Sequence, residues 1–456
     1  MEKWKKITIM VTAFTFFLQI RPLDSFLTAY LTGPNVNATL NEVTDVFTPI
    51  KLYTSVVSTF LVFLLADYLR YKPLVVFNGM VGMATYLCLI GKPSIFSVKL
   101  SEVFGSLVLS CEWTYYGYLF ARIKDKNHYQ IATGCVKAGA LSGQFISGLF
   151  GQLVTYLNNS DYNTLPYYSI IGVTIATALA IMFPPIKRKI GYFHADNTLP
   201  ITVDEKANLF SKHVICNSDL PKYSTFAVKK ENVDCKPATK IKSPFACIYE
   251  NFKNSYANPV ILRWSLWHVL GLTGYIQIFL YINILYTYIM DVSDNKNELL
   301  NGLIDSLATM CAAYCSYKMG KTNVDWMVYG DTFLALNGLA IGLLVCLCSW
   351  VKHIYLVYII YFSYTILIQS VFVITISEIA KQLKDDCYIL VLGFNAFLSN
   401  VLTSITSLIL VYVGTSIPKQ FLIYGGFFLF LAAVYGYAVI YKIYSTKTVK
   451  HFVRVP

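Results

Sequence analysis

The sequence predicts an all-α membrane protein of twelve transmembrane helices in two six-helix halves. Three observations predict it. Of 456 residues, 56% are hydrophobic and only 14% charged, against about 25% charged in a soluble globular chain. Apolar stretches of the roughly 20 residues that a bilayer core requires recur from end to end, and the mean hydropathy is +0.53. One long polar segment, Lys187 to Lys253, divides them near the middle. The apolar pattern is helical, without the two-residue alternation of an outer-membrane barrel.

The twelve expected spans are 7–30, 50–66, 73–91, 100–121, 131–156, 167–186, 259–289, 299–317, 327–350, 354–380, 388–413 and 420–444. They group into a first half (1–186), a flexible linker (187–255) rich in Lys, Asn, Ser, Asp and Pro, a second half (256–445) and a tail (446–456). The first span has a basic start, Lys3, Lys5 and Lys6, but no small-residue cleavage site, so it is expected to be retained. Inside it stand Arg21, Pro22 and Asp24: a cation, a helix breaker and an anion within four positions.

Orientation follows from the loops. With the termini inside, the inner loops hold Arg70, Lys72, Arg122, Lys124, Lys126, Lys318, Lys321, Lys381 and Lys384, and the outer loops only Lys92, Lys99, Lys296, Lys352 and Lys419. Counting the termini, the bias is about threefold, which places both ends on the cytoplasmic side. Two sequons, Asn37-Ala38-Thr39 and Asn158-Asn159-Ser160, then fall outside as candidate glycosylation sites. Six spans, a long inner linker and six more is the layout of major facilitator carriers, which hold cargo between the halves near the midplane.

Other classes find little support. The net charge of +12 is carried by loops, where topology uses it, so no nucleic-acid partner is expected. The 11 cysteines are scattered, with no CxxC pair and no Cys/His cluster of zinc-ligand spacing, so neither a metal nor a cofactor is expected. There is no Walker GKS/T, GxSxG or HExxH, which argues against an enzyme.

Ionisable residues inside spans are costly and therefore candidates for function. They are Arg21 and Asp24 in the first span, Lys51 at the mouth of the second, Glu112, Lys137, His268, Asp305 and Glu378. Glu112 lies in LSCEWTYYGYLF, with Tyr115 and Tyr116 at i+3 and i+4 on the same face. A carboxylate beside two aromatic rings suits an organic cation, through charge and cation–π attraction. Alternatively Glu112 pairs with Lys137 across to the fifth span. In the seventh span Gln277 and Tyr281 (with Tyr288) form a polar stripe expected to face a cavity, and Gly271 and Gly274 permit close helix approach. ADYLRYKP, residues 66–73, places Asp67, Arg70 and Lys72 in a loop suited to gating.

At this point the sequence resembles the reduced folate carrier and thiamine transporter family. The resemblance is carried by IRPLDSFLTAYLTGPNVNAT, LADYLRYKPLVV, EVFG…CEWTYYGY, WSLWHVLGLTGY, NGLIDSLAT and EIA…LVLGFNAF, in order from about Phe16 to Tyr444. It implies a secondary carrier of a water-soluble vitamin working by alternating access. It further implies that Asp24 shapes the substrate site, that Glu112 holds the thiamine cation and that Tyr115 assists. Folate carriers have an arginine where Glu112 stands, and basic residues near Thr365 and Thr403; the pocket here leans towards a cation. The sequence departs from the thiamine pattern too. Lys51 replaces, across a one-residue shift, an aromatic that stacks on thiamine in the family, and is expected to neutralise Asp24; Ile276 or Leu280 replaces an asparagine. Lys137 and Arg21 are expected to tune the charge. A paralogue with a different cargo, or a vitamin sensor that does not transport, is the alternative reading.

Overall fold

A computed structural model describes residues 2–39, 42–69, 71–158, 162–186, 244–293, 301–383 and 387–452. Among them the regular structure is helical, and helices stand at all twelve expected places. The first half comprises α1 (Lys3–Leu18), α2 (Leu27–Thr32), α3 (Thr48–Leu69), α4 (Tyr71–Leu87), α5 (Ile95–Arg122), α6 (Tyr129–Leu157) and α7 (Leu165–Ile181). The second comprises α8 (Pro244–Tyr256), α9 (Pro259–Ser293), α10 (Asn301–Lys321), α11 (Trp326–Trp350), α12 (Ile354–Gln382), α13 (Tyr388–Tyr412) and α14 (Ile417–Phe452). Six of these, α3, α9 and α11–α14, are each long and apolar enough to cross a bilayer. The others are shorter or less apolar. Large apolar side chains such as Leu336, Leu343 and Phe430 lie exposed, as a lipid-facing shell requires.

Two elements differ from the sequence expectation. The first span is not one helix over 7–30. It stops at Leu18, resumes as a single 3₁₀ turn at Asp24–Phe26 and continues as α2. Pro22 has no N–H to donate and its ring crowds the carbonyl four residues back, while Arg21, preceding it, is pushed out of helical conformation. The backbone donors freed at the break are satisfied by hydroxyls of neighbouring helices. The Arg21 N–H donates to Ser147 Oγ on α6 (2.8 Å) and the Leu23 N–H to Ser169 Oγ on α7 (3.2 Å). Glycines allow this approach: a Cβ on Gly143 would lie 2.2 Å from the Phe16 carbonyl, and one on Gly172 2.3 Å from that of Ile20.

The second difference lies in the expected linker 187–255, which ends in α8. Phe245, Ile248, Phe252 and Tyr256 recur at helical spacing. The Phe252 and Tyr256 rings pack 4.8 and 5.6 Å from Phe394 of α13, and the Tyr256 hydroxyl donates to Asn395 Oδ1 (2.7 Å). The rest of that linker lies outside the described residues.

The halves meet along α6 against α10 and α3 against α13. Gly134 and Gly320 face each other so closely that a Cβ on Gly134 would sit 2.7 Å from the Gly320 Cα. Hydrogen bonds between the halves gather at the face that carries the chain termini. Gln130 is their hub. Its Nε2 donates to the carbonyls of Met319 (2.9 Å) and Thr322 (2.8 Å), and its Oε1 accepts from Trp326 Nε1 (3.0 Å) and Lys381 Nζ (3.2 Å). Lys126 Nζ donates to the carbonyls of Lys381 and Leu383, and the Tyr129 and Tyr388 hydroxyls meet at 2.8 Å. Higher up, Asn400 Nδ2 donates to Thr59 Oγ1 (2.9 Å). The terminus face is latched.

Candidate functional site

Glu112 stands about 15 Å along α5 from its end at Arg122, near the middle of a bilayer core of about 30 Å. Three more groups stand about 12–15 Å from the same face on their own helices: Lys137 on α6, His268 on α9 and Phe372 on α12. One layer at mid-depth thus draws on both halves.

On the first-half wall, the i+3 spacing brings the Tyr115 hydroxyl to Glu112 Oε1, to which it donates at 2.8 Å. The Tyr115 and Tyr116 rings lie 4.7 Å apart, and Phe14 of α1 abuts Tyr115 at 6.1 Å. Both tyrosines are buried, whereas Glu112 is half-buried. Among the described residues no cationic nitrogen lies within 4.0 Å of Glu112, so the pair with Lys137 is not formed. Lys137, also half-buried, places its Nζ 5.7 Å from the ring centre of Phe372.

On the facing wall, Trp113 meets His268 edge-on at 5.3 Å, and His268 and Tyr275 flank Phe372 at 5.9 and 5.6 Å. Gln369 Nε2 donates to the Tyr275 hydroxyl (3.3 Å). Trp113, Tyr275, Gln369 and Phe372 escaped the sequence reading. Tyr275 carried a signal, since it lies two turns from His268 on one face of the quoted seventh-span run.

The remaining charges near the site are paired. Asp24 is occupied on both oxygens: Oδ2 lies 3.2 Å from Arg21 Nε, and Oδ1 accepts from the Tyr86 hydroxyl (2.5 Å). Arg21 also donates from Nη2 to Gln19 Oε1 (2.6 Å). Lys51 does not neutralise Asp24, contrary to expectation. It pairs with Glu102 on α5 at 3.5 Å, because α5 brings that carboxylate to the mouth of α3 while Asp24 is already engaged. Glu378 is buried and pairs with Lys381 at 2.6 Å, next to the latch. On α10, half-buried Asp305 accepts from the Tyr361 hydroxyl (3.4 Å).

The polar stripe of the seventh span is turned into its own half. Gln277 Nε2 donates to the Thr403 carbonyl (2.8 Å) and Ser407 Oγ (3.1 Å), and its Oε1 accepts from the Tyr424 hydroxyl (3.3 Å). Tyr281 lies 6.4 Å from Tyr424 on the same side. Periodicity shows that a face is polar, and a helix packed on several sides gives it more than one place to point. In the gating loop, Lys72 opens α4 half-buried; Arg70 and the Asp67 side chain lie outside the described residues. Asn37 is exposed at φ 54°, and exposed Asn158 donates from Nδ2 to Thr164 Oγ1 (3.1 Å); Asn159 and Ser160 of that sequon lie outside the described residues.

Comparison with known proteins places this geometry in context. The chain is 28% identical to thiamine transporter 2 of Macaca fascicularis, covering 98% of this chain and 92% of that protein. It is 28% identical to human thiamine transporter 1 (95% and 89%) and 27% identical to the human reduced folate transporter (95% and 72%). The structure of the human organic anion transporter MFSD10 (TETRAN) superposes with a TM-score of 0.67 over 95% of this chain and 100% of that one, at 11% identity. That likeness shows the fold, a major facilitator bundle of two halves. The family described as reduced folate carrier matches residues 2–423, and the chain belongs to that family.

Proposed function

We propose that this protein is a secondary carrier for a water-soluble vitamin of the thiamine type, an aromatic organic cation, and that it works by alternating access across the plasma membrane with both termini in the cytoplasm. One observation carries the preference for a cation: Glu112 is a mid-depth carboxylate with no cationic nitrogen within 4.0 Å among the described residues, flanked by two tyrosine rings. An anionic cargo would meet that charge head-on. The positions that family resemblance marks as basic in folate carriers lie near Thr365 and Thr403 here, neither of them basic. The thiamine transporters and reduced folate transporters among its relatives support a vitamin cargo.

In this reading cargo enters from the face opposite the latch. It passes the Arg21–Asp24–Tyr86 cluster, which shapes the outer lip through a fixed charge pair. Its cation then settles between Glu112 and the Tyr115 and Tyr116 rings, where charge and π-face attraction add in a low-dielectric setting. Closure of the upper face and release of the Gln130 latch would carry the site to the other side. Gln277 and Tyr281, turned towards α13 and α14, support the second-half wall.

The test is uptake of labelled thiamine and labelled reduced folate, side by side, in cells expressing the chain at a confirmed surface level. Saturable thiamine uptake alone is expected. Saturable folate uptake alone would overturn the cation reading, and accumulation of neither would leave a paralogue with a different cargo, or a sensor.

A further inference from the structure

The layer that holds Glu112 also holds polar groups that lack hydrogen-bond partners. Lys137 brings an ammonium with no carboxylate within 4.0 Å, its nearest specific contact being the Phe372 ring at 5.7 Å. His268 is 0% exposed, yet neither of its imidazole nitrogens has a hydrogen-bond partner. It sits 5.9 Å from the same Phe372 ring, and Tyr275 stands 5.6 Å from it on another side. Gln369, bonded to Tyr275, completes the rim. A buried polar group left unpaired is costly, and a buried unpaired cation more so. Such groups are retained where a ligand supplies the missing partner. Trp113, next to Glu112 on α5, meets His268 at 5.3 Å, and His268 and Lys137 lie 5.9 and 5.7 Å from the Phe372 ring, so the acid and the donors border one space.

Building on the reading of Glu112 as the cation site, we infer that Lys137, His268 and Tyr275 form a donor-lined subsite around Phe372 that takes an anionic arm of the cargo, so that the carrier prefers a cationic ring linked to a phosphate or carboxylate group over the simple cation. Such a molecule satisfies Glu112 and Lys137 together and leaves the occupied site near neutrality. That is the condition for carrying it through a low-dielectric bundle. A simple cation would leave Lys137 repelling it.

The test uses the purified full chain in detergent and reads binding by quenching of intrinsic tryptophan fluorescence (Trp113 borders the site). The probes are thiamine, thiamine monophosphate and inorganic phosphate. The ester is expected to bind at least about tenfold more tightly than thiamine, as one added charge-assisted contact implies. In Lys137→Gln the ratio of the two affinities should collapse to about one, and in Lys137→Arg it should persist. Thiamine binding in Lys137→Gln reports that the variant is folded. Equal affinities in the wild-type chain, or an ester advantage that survives Lys137→Gln, would overturn the inference. So would tighter thiamine binding in the presence of inorganic phosphate without an ester advantage, since the subsite would then hold a free anion. Glu112→Gln separates this idea from the one beneath it. That variant should weaken both ligands alike; if it weakens neither while Lys137→Gln still removes the ester advantage, the cation site is wrong and the anion subsite stands.

Discussion

The substitution Glu112→Gln isolates charge from shape. Glutamine is nearly isosteric, and its carbonyl oxygen can still accept from the Tyr115 hydroxyl that now lies 2.8 Å from Glu112 Oε1. Packing of α5 against its neighbours should therefore survive. What is lost is the attraction between a carboxylate and the cargo's cation. At about 4 Å and an effective dielectric near 20 that attraction is about 4 kcal/mol. Among the described residues no cation lies within 4.0 Å to be released or stranded by the change, so little of it is offset. Allowing for desolvation of the cargo leaves about 3 kcal/mol, roughly a 100-fold loss in affinity. The assay is concentration-dependent uptake of labelled thiamine at matched surface expression. Half-saturation should move by about that factor, which at micromolar cargo reads as near-complete loss. A variant that transports within threefold of wild type would refute the argument, because no other described contact could then be holding the positive charge so cheaply. The double variant Glu112→Gln, Lys137→Gln serves as a control: restored uptake would mean that the two residues matter to each other rather than to cargo.

Three further outcomes are expected. Gln130→Ala removes four hydrogen bonds across the latch, one of them from a lysine ammonium. At about 1 kcal/mol net each, about 4 kcal/mol in all, that favours opening of the terminus face by up to about 1,000-fold. Buried Cys387 beside the latch should then react with thiol reagents at least about tenfold faster, and labelling at the wild-type rate would count against the latch. Gly134→Leu would drive a side chain into Gly320, where even a Cβ meets the Cα at 2.7 Å. Overpacking of this kind costs about 1–3 kcal/mol or more, and uptake should fall at least about tenfold while Gly134→Ala is milder; full activity in the leucine variant would show that the halves need not close here. At the entry to α3, Thr39 and Glu42 form a reciprocal capping box. Glu42 Oε2 accepts from the Thr39 N–H (2.8 Å) and hydroxyl (3.1 Å), and the Glu42 N–H donates to Thr39 Oγ1 (3.2 Å). The backbone bond, then the hydroxyl bond, hold the Glu42 carboxyl below its usual value. That contribution is complete above the unfolded-state pKa and vanishes as pH falls through the folded one. Wild type should therefore melt above Glu42→Gln at pH 7, with the gap closing in acid; a gap independent of pH would dismiss the box as a charged cap.

The sequence carried the helices and their order, because spans twenty residues long announce themselves by composition. It also carried what lies within one helix: the Tyr115–Glu112 hydrogen bond is a consequence of i+3 spacing. It carried less of what depends on a neighbour. Sequence sets Lys51 against Asp24 only through the expectation that both line one site, whereas in space its partner is Glu102. Gln277 was read as facing a cavity, yet its amide is turned into α13 and α14. His268 stood out as an intramembrane ionisable residue, but its setting among Trp113 and Phe372 required α5 and α12 to be in place. The break in the first span was legible in principle. Pro22 forbids the helix drawn across it, and only the serines and glycines of α6 and α7 reveal how the freed backbone is satisfied.

Those serines and glycines also bear on how the site can move. The broken segment is tied to α6 by Ser147 and to α7 by Ser169, and it lies against Gly143 and Gly172 of the same helices. All its anchors belong to the first half, as do Tyr86, which holds Asp24, and Glu102, which holds Lys51. The first-half wall of the cavity, Glu112 included, is therefore built to travel as one body. Gln277 does the same for the second half, tying α9 to α13 and α14. Between the two bodies the contacts are of another kind: a polar latch at the terminus face, close glycine packing of α6 on α10 and an aromatic seam of Phe60 and Phe63 on Phe397. Hydrogen bonds to carbonyls and amides at the terminus face can be exchanged for bonds to water at small net cost, whereas the broken segment is held from α6 and α7 of one half at once. Motion then has one inexpensive direction, a rocking of two rigid halves, and the mid-depth layer of Glu112, Lys137, His268 and Phe372 lies where that rocking changes the separation of the walls least.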